Sequence, residues 1–394
     1  MPHTLQDVLP ATARLTSDGH LEIAGIDTTE IVKQFGTPVY VMCEETFRSR
    51  ARAYREAYPD ADVYFAGKAF LCVEMARMVA EEGLGLDVAS GGELYTAVKA
   101  GFPSERIIFH GNNKSDAELR MALEHGVGRI VADSLEELQR LDRLASEAGA
   151  RARVMLRVTP GVEAHTHEYI QTGQEDSKFG MSVEGGTALE AAKLANDLPN
   201  IDVAGFHSHI GSNITGVEAF LRTIEILAEF CATVRDQTSV TPAELNLGGG
   251  LGISYTRGDI PARVDAFAEQ SRAKLAEQFE HYGLPLPRLA VEPGRWLIAN
   301  AMVTLYTVGV IKDIPGLRTY VAVDGGMSDN IRPALYGARY EALVANKADV
   351  PHDRVVTIAG AHCEQGDVLI KDISLPASVV RGDVIAVPAT GAYN

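Results

Sequence analysis

Eight apolar runs of strand length alternate with helix-like stretches between about Glu44 and Trp296, and this alternation constrains the fold more than any other feature. The stretches between the runs repeat apolar residues at helical spacing. Eight such units in roughly 250 residues are typical of a (β/α)8 barrel, although a doubly wound open sheet would show the same periodicity. The predicted strands lie at 63–66, 85–89, 106–110, 129–133, 153–158, 203–209, 244–247 and 289–292.

Polar side chains stand at or just past the ends of these runs. Lys68, Asp87, His110, His209 and Glu292 all occupy such positions. In a barrel of parallel strands the carboxyl ends share one face, which is where active sites lie. We therefore predict an α/β fold with a TIM barrel, and we expect these side chains to surround one site.

Outside this region the pattern changes to short strands separated by Gly, Pro and Asp turns. We predict a barrel over residues 43–297 and a mostly antiparallel β domain built from both chain ends, residues 1–42 and 298–394. The candidate strands of this second domain lie at 21–26, 38–42, 302–310, 318–323, 355–359, 368–371 and 384–387.

Charge and hydropathy narrow the range of partners. The 394 residues include 36 Lys and Arg against 53 Asp and Glu, a net charge of −17. We expect no binding to nucleic acid or to an anionic membrane from so acidic a chain. No run approaches the ~18 apolar residues of a membrane span, and residues 1–7 lack the basic start and apolar core of a signal peptide.

The cysteines Cys43, Cys72, Cys231 and Cys363 are scattered along the chain without a Cys-x-x-Cys pair. This spacing favours reduced thiols in a reducing compartment over a disulfide framework or a zinc site. We therefore predict a cytoplasmic protein.

A lysine follows the first predicted strand, in the segment Gly67-Lys68-Ala69. Lysine forms Schiff bases with carbonyl cofactors. The ordinary alternative is a strand-end lysine that extends into water. The polar groups at the other strand ends favour the chemical interpretation.

The turns after the last two strands suit an anionic cofactor. Gly248, Gly249 and Gly250 allow backbone N–H groups to converge on a phosphate, although a tight turn alone would use the same glycines. Barrels commonly bind phosphate in the loops after strands seven and eight. Glu292 can keep a pyridine nitrogen protonated, and Arg295 can bind a phosphate or carboxylate in fork geometry.

His207 and His209 alternate along the sixth predicted strand, so we expect them to point the same way. A zinc site lacks a third ligand at a plausible spacing, and Gln171 breaks the H-E-x-x-H pattern that would begin at His167. We predict no metal. Stacking of one imidazole on a flat cofactor fits better, with a hydrogen-bonded structural pair as the alternative.

Cys363 lies between His362 and Glu364 in a predicted turn of the second domain. A lone cysteine is more often a small buried hydrophobe. An exposed thiol in such a turn can instead exchange a proton.

Taken together and in order, these residues resemble the fold-type III decarboxylases that use pyridoxal phosphate (PLP), in which an alanine-racemase-like barrel is joined to a β domain. The resemblance covers nearly the whole chain. Its motifs lie at 66–70, 87–90, 207–212, 248–250, 292–295, 363–364 and 391–393.

A narrower resemblance concerns the branch of this family that converts meso-diaminopimelate to L-lysine and CO2, the last step of lysine biosynthesis. It is carried by the motifs at 165–170, 176–180 and 332–336. The family usually continues past the motif at 391–393 with more β domain and a helix. We therefore expect that a tail is missing after Asn394.

The resemblance implies roles in holding the cofactor. Lys68 would bind PLP covalently, His209 would stack on its ring, and Glu292 would pair with its ring nitrogen. The other implied cofactor contacts are Asp87, Ser212, Gly250, Gly294, Arg295 and Tyr393.

The resemblance also implies roles toward the substrate. Cys363 would donate the proton that replaces CO2, and Glu364 would bind the distal ammonium group. Both would come from the partner subunit of a homodimer, so that the site forms only in the dimer. The distal carboxylate would be bound by Arg295, Arg332 and Tyr336, near Tyr393.

Three other functions remain open at this point. A decarboxylase of the same fold for arginine, ornithine or carboxynorspermidine is disfavoured by Arg332 and Tyr336, which suit a distal carboxylate. An inactive PLP-binding homologue is disfavoured because the residues implied in the chemistry are all intact, namely Lys68, His209, Glu292 and Cys363. An alanine-racemase-like activity is a weaker alternative.

Overall fold

The computed structural model describes residues 5–162 and 177–394. The chain divides into two compact units, and the first comprises Ala51–Gly252 and Ala262–Gly294. Within the described residues this unit contains eight parallel strands that close into a barrel, which confirms the predicted fold class. The strands are Asp62–Ala66, Gly85–Val88, Ile107–Phe109, Arg129–Ala132, Ala152–Thr159, Ile201–His207, Glu244–Asn246 and Arg288–Val291.

Closure of the barrel rules out the open-sheet alternative. The eighth strand pairs in parallel with the first, with Val291 opposite Val63. The fourth strand pairs with the fifth, with Ile130 opposite Val154. The short strand Met181–Ser182 adds to the end of the fifth strand.

The barrel interior is filled by side chains from alternate positions of its strands, as packed barrels require. Tyr64 on the first strand faces Gly85 on the second, where a Cβ would lie 2.3 Å from the tyrosine ring. The Tyr64 ring therefore fits in the barrel because residue 85 has no side chain. The buried cluster inside the barrel consists of Tyr64, Ile108, Val131, Met155, Ala204 and Ala290.

Serine caps begin three successive barrel helices. The hydroxyls of Ser90, Ser115 and Ser134 each accept a hydrogen bond from the backbone of a glutamate three residues later. These caps fix where each strand-to-helix loop ends. The helices of this unit are Glu44–Ala57 (which begins in the other unit), Val73–Glu81, Gly91–Ala100, Asp116–Glu124, Leu135–Glu147, Thr187–Asp197, Glu218–Gln237 and Val264–His281.

The second unit comprises Met1–Arg50, Ile253–Pro261 and Arg295–Asn394. Among its described residues, the main sheet has seven strands. Only the pair Arg318–Val323 with Arg354–Ala359 is parallel there, as the prediction of a mostly antiparallel domain requires. The other strands of this sheet are Val39–Met42, Met302–Ile314, Leu343–Val344, Val368–Leu375 and Val384–Pro388.

Both chain ends contribute to this second unit. Val39–Met42 pairs with the start of Met302–Ile314, with Val41 opposite Val303. A separate three-stranded sheet consists of Arg14–Leu15, Leu21–Ile23 and Ile26–Asp27. The helices of four or more residues that belong wholly to this unit are Thr28–Phe35, Arg295–Ile298 and Arg332–Tyr336.

The predicted domain boundaries at 43–297 stay a prediction. The compact barrel unit begins at Ala51, and residues 253–261 belong to the other unit. Across the described ranges, no helix has the length and apolar character to cross a bilayer.

Candidate active site

Lys68 lies in a single helical turn, Gly67–Ala69, directly after the first barrel strand. Gly67 and Ala69 are buried, whereas the Lys68 side chain is exposed. A Cβ on Gly67 would lie 2.7 Å from the carbonyl oxygen of Asp87, so only glycine lets the turn pack this closely on the second strand. Within residues 5–162 and 177–394, the Lys68 ammonium group has no hydrogen-bond or ion-pair partner.

Glu292, one residue past the eighth strand, accepts three side-chain hydrogen bonds inside the barrel. Its Oε1 accepts from His110 Nε2 and from Asn246 Nδ2, each at 2.8 Å. Its Oε2 accepts from His207 Nε2 at 3.0 Å. The three donors come from the ends of the third, seventh and sixth strands, which confirms that these strand ends converge.

These donors keep the Glu292 carboxylate charged although it is only 5% exposed. Burial alone would raise the pKa of Glu292, but His110 and His207 outweigh it and hold the pKa well below its usual range. A carboxylate has about four lone-pair positions. Three are occupied here, so Oε2 can accept one further donor.

The buried Asp87 carboxylate lies beside this group. Its Oδ1 has no hydrogen-bond partner among the described residues and lies 3.8 Å from His110 Nε2. Burial raises the pKa of Asp87 to about 6; the charge of Glu292 acts in the same direction, and His110 and Lys68 oppose it.

His207 and His209 do not share a strand face, so that expectation was wrong. The sixth strand ends at His207, and the chain leaves it before His209. Burial lowers the pKa of His207 to about 4. His209 Nδ1 accepts the backbone N–H of Gly249 at 3.3 Å, which places the proton of the neutral ring on Nε2. Burial, followed by the charges of Lys68 and Arg157, holds the pKa of His209 well below its usual range.

Each glycine of the run 248–250 lies so close to a different neighbour that a Cβ atom would clash with it. A Cβ on Gly248 would lie 2.8 Å from His209 Nδ1, and one on Gly249 would lie 2.1 Å from the carbonyl oxygen of Glu292. Gly250 has a φ of +121° and would clash with the carbonyl oxygen of Gly211 at 2.5 Å. The run therefore packs the seventh loop against both neighbouring loops.

Backbone hydrogen bonds join the loops after the sixth and seventh strands. Ile214 N–H donates to the Gly250 carbonyl, and Gly252 N–H donates to the Ile214 carbonyl, each at 2.8 Å. Ser212 lies in the first of these loops and is half-buried. Gly294, after the eighth strand, packs where a Cβ would lie 3.0 Å from the Cβ atoms of Ala66 and Ala69.

The second unit contains two buried arginines among aromatic rings. The guanidinium carbon of Arg295 lies 4.7 Å from the ring centre of Tyr393 and 5.6 Å from that of Tyr255. That of Arg332 lies 4.4 Å from the ring centre of Tyr255 and 5.6 Å from that of Tyr340. Arg295 also donates to the Tyr255 hydroxyl, and Arg332 to the Tyr340 hydroxyl.

Sequence reasoning found three members of this arginine–tyrosine cluster and missed two. Tyr255 and Tyr340 lie outside every predicted motif, and the structure alone places Tyr255 against both arginines and Tyr340 against Arg332. Tyr336 lies at the end of the helix Arg332–Tyr336 and is half-buried. Burial raises the pKa of Tyr340 to about 12, so its hydroxyl keeps its proton at neutral pH.

Cys363 and Glu364 are exposed in a turn of the second unit. The thiol is therefore accessible, as the proton-exchange interpretation requires. The narrower motifs at 165–170 and at Asp176 lie outside the described residues; Ser177 to Gly180 of the second motif lie inside them.

His110, His207 and Glu292 place potential metal-ligand atoms within 4.8 Å of one another. The sequence interpretation paired His207 with His209 and therefore missed this grouping. The nitrogen that each histidine turns toward Glu292 is engaged in a hydrogen bond of 2.8 or 3.0 Å. These contacts account for the cluster without an ion.

Known proteins resemble this chain over nearly its full length. Residues 44–299 match the family of the pyridoxal-dependent decarboxylases, in its pyridoxal binding domain. The diaminopimelate decarboxylase of Bacillus subtilis is 49% identical over 98% of this chain and 89% of that protein. The diaminopimelate decarboxylase of Mycobacterium bovis is 45% identical over 99% of this chain and 90% of that protein.

Solved structures show the same relationship. The diaminopimelate decarboxylase of M. jannaschii in complex with L-lysine superposes with a TM-score of 0.90 at 35% identity, covering 98% of this chain and 89% of that one.

Proposed function

Since this chain belongs to the family of pyridoxal-dependent decarboxylases, we propose that it removes CO2 from meso-2,6-diaminopimelate and releases L-lysine, with pyridoxal 5′-phosphate as its cofactor. The observation that carries the proposal is the buried Glu292 carboxylate, which is held ionised at the barrel strand ends near the Lys68 turn. Relatives named diaminopimelate decarboxylase, one of them with L-lysine bound, support the choice of substrate.

The residues at the barrel mouth fit PLP. Lys68 has an exposed amine without a partner among the described residues, so it is available to the cofactor aldehyde. Glu292 Oε2 retains one acceptor position for a protonated ring nitrogen. The glycine run keeps Cβ atoms away from the loops beside His209, where a phosphate and a flat ring need room.

PLP, when bound, supplies an electron sink for the pair that departing CO2 leaves behind. Three protein groups prepare this chemistry. Glu292 stays negative and so favours a protonated ring nitrogen. His209 is held neutral and fixed by the Gly249 N–H, so its ring can lie flat against an aromatic cofactor. Ser212, Gly250, Gly294 and Tyr393 stay proposed phosphate contacts, and Asp87 a proposed cofactor contact.

Arg332 is the best candidate to bind the distal carboxylate. It is buried, and no carboxylate in the described part of the chain pairs with it; its neighbours are the rings of Tyr255 and Tyr340. A guanidinium group in this environment gains a strong partner when a carboxylate arrives. Arg295 and Tyr336 are proposed to assist. Ornithine lacks the distal carboxylate and would leave Arg332 without it.

We propose that Cys363 donates the proton that replaces CO2 and that Glu364 binds the distal ammonium group. A neutral thiol is a competent general acid, and such help is worth roughly 10²–10⁴ in rate. In the proposed homodimer these two residues serve the site of the partner subunit.

A mixing experiment tests the shared site. Lys68→Ala and Cys363→Ala are each expected to have very low activity alone. After dissociation and reassociation, half of the dimers contain one chain of each kind, and each of these has one intact site out of two, so about one quarter of wild-type activity should return. Recovery of no activity would place both residues of a site on one chain.

Assays of CO2 release by the PLP-loaded protein test the reaction itself. Meso-diaminopimelate should be consumed, and only one enantiomer of lysine should form. Preferential turnover of ornithine, arginine or carboxynorspermidine would instead establish the alternative substrate class. Release of CO2 from none of them would indicate an inactive homologue.

Borohydride reduction tests the cofactor linkage directly. Peptide mass mapping should find the reduced cofactor adduct on Lys68. An adduct on Lys114, which is buried and paired with Glu137 at 2.7 Å, would contradict the proposal. Cytoplasmic location is part of the same proposal, and the four unbridged cysteines support it.

A further inference from the structure

The turn that presents Cys363 ends in a buried carboxylate. Residues 361–366 are exposed, whereas Asp367 is only 3% exposed. The strand Val368–Leu375 begins directly after it. A buried acid at the base of an exposed turn needs a physical reason, because removing a carboxylate from water is costly unless it is well hydrogen-bonded.

Both oxygens of Asp367 accept backbone N–H groups. Oδ1 accepts from Met327 at 2.6 Å, and Oδ2 accepts from His362 at 2.8 Å. In the part of the chain that the structure describes, no Lys, Arg or His side chain forms an ion pair with this carboxylate. Its partners are therefore two backbone segments, one of which immediately precedes Cys363.

Two glycines make room for this carboxylate. A Cβ on Gly360 would lie 2.2 Å from Asp367 Oδ2, and a Cβ on Gly326 would lie 2.6 Å from the same oxygen. Neither glycine has a positive φ, so close approach to Asp367 is the reason that a side chain is excluded at these positions.

Further contacts hold these two segments and the backbone of Asp367 together. Ala361 N–H donates to the Gly325 carbonyl at 2.8 Å, and Gly360 N–H donates to the Asp367 carbonyl at 3.0 Å. The ring Nε2 of His362 lies 2.8 Å from the Ser328 hydroxyl. Asp367 is the buried side chain among these contacts, and it accepts a hydrogen bond from each segment.

We propose that Asp367 is a positioning residue for the reaction: it fixes the Cys363-Glu364 turn by holding the His362 and Met327 amides. This inference rests on the proposed function, because Cys363 is a proton donor only in that proposal. A donor that is displaced by about 1 Å loses on the order of 10²-fold in rate.

Asp367→Asn tests the inference with little change of shape. One oxygen becomes an NH2 group, so one backbone N–H then faces a donor in place of an acceptor. We expect kcat to fall roughly 10- to 100-fold. Gly326→Ala, which presses a methyl group against the same carboxylate, should lower kcat in the same direction. Wild-type kcat in Asp367→Asn would overturn the inference.

Asp383→Asn is the matched control. Asp383 is also buried in this unit and also accepts a backbone N–H, that of Val380 at 2.8 Å, but its other partners are the side chains of Lys347 at 2.7 Å and Asn346 at 2.9 Å. A general loss of stability would lower the melting temperature of both variants. Only Asp367→Asn should change kcat.

Amide hydrogen exchange supplies a readout that does not depend on activity. In the wild-type protein the Met327 and His362 amides should exchange far more slowly than that of exposed Gln365. Asp367→Asn should accelerate both, and Asp383→Asn should not. Equal exchange of these amides and Gln365 in the wild type would overturn the inference even if no variant folds.

A double variant separates this inference from the proposed function. If Asp367 acts through Cys363, Cys363→Ala/Asp367→Asn should have the same kcat as Cys363→Ala. If Cys363→Ala alone has wild-type kcat, the proposed proton donor is wrong, and so is the proposed effect of Asp367 on the reaction. The hydrogen-exchange data then still decide whether Asp367 holds the turn.

Discussion

Glu292 in the barrel unit and Arg332 in the second unit are buried charges held in opposite ways. In the barrel unit, the carboxylate of Glu292 is surrounded by donors from His110, His207 and Asn246, so its charge is satisfied by the protein. In the second unit, Arg332 contacts aromatic rings and a phenol hydroxyl, and no anion among the described residues pairs with it. The barrel therefore maintains an electrostatic environment, whereas the second unit keeps a cation available to an incoming anion.

This contrast separates two kinds of functional loss. A change to the fixed charge of Glu292, at the carboxyl ends of the barrel strands, should alter the chemical step, and so kcat. A change to a buried cation that has no paired anion, such as Arg332, should alter binding of the substrate, and so KM. Substitutions that fail to follow this division would break the comparison.

The largest effect is expected for Glu292→Gln. The variant loses the charge that favours a protonated cofactor ring, and its NH2 group faces a histidine donor. We expect kcat for meso-diaminopimelate to fall roughly 10²- to 10³-fold, the size seen when one preorganised electrostatic group is removed. Steady-state kinetics with saturating PLP measures this change.

Glu244→Gln is the control within the same barrel. Glu244 is also buried, but it stands at the start of the seventh strand, where it pairs with Arg129 at 2.7 Å and Arg153 at 2.6 Å. Breaking these pairs should lower the free energy of unfolding without a comparable change in kcat. Equal losses of kcat in both variants would show that Glu292 acts only through stability.

A smaller effect is expected for Arg332→Ala, mainly on KM. Loss of a buried partner for a substrate charge costs about 2–5 kcal/mol, which predicts a rise in KM of roughly 30-fold or more. Arg339→Ala is the control, since Arg339 is exposed and lies in the same segment. If kcat fell while KM stayed unchanged, Arg332 would act on the chemical step, as Glu292 is expected to do. The contrast between the two residues would then be wrong.

The barrel could be predicted from the sequence because the evidence for it lies in local sequence features. Each strand is a short apolar run, and closure brings all the strand ends to one face, so Lys68, Asp87 and Glu292 were found by position alone. The strand bounds were less certain: the sixth strand ends at His207, two residues earlier than predicted. The helix Gly91–Ala100 begins where the sequence signals it, since the Ser90 hydroxyl accepts the backbone N–H of Glu93.

The side-chain contacts of the second unit could not be predicted from local sequence patterns. Its arginine–tyrosine cluster joins Tyr255, Arg295, Arg332, Tyr340 and Tyr393, residues far apart in the chain whose contacts depend on tertiary packing. No periodic pattern brings such residues together. The role of Arg332 was therefore expected only from the resemblance to a family, and Asp367 was not noticed at all. For Cys363, the local sequence indicated only that an exposed thiol could exchange a proton.

The smallest effect concerns the pH dependence of stability, which should distinguish two neighbours in the barrel. The pKa of Asp87 is raised to about 6, so folding favours its protonated form. Its stabilising contribution is complete below the unfolded pKa of about 3.9 and is lost as pH rises through 6. The pKa of His207 is lowered to about 4, so folding favours its neutral form, and stability is lost as pH falls from about 6.5 toward 4.

Asp87→Asn should therefore gain stability relative to wild type as pH rises from 4 to about 7, and His207→Gln should gain as pH falls over the same range. Urea unfolding of the PLP-free proteins at several pH values measures both differences. Each substitution removes one of two opposing slopes, so the variants should diverge from wild type in opposite directions. Parallel pH profiles for all three proteins would mean that Asp87 and His207 titrate alike in the folded and the unfolded chain. The barrel would then not maintain the fixed electrostatic environment that distinguishes it from the site around Arg332.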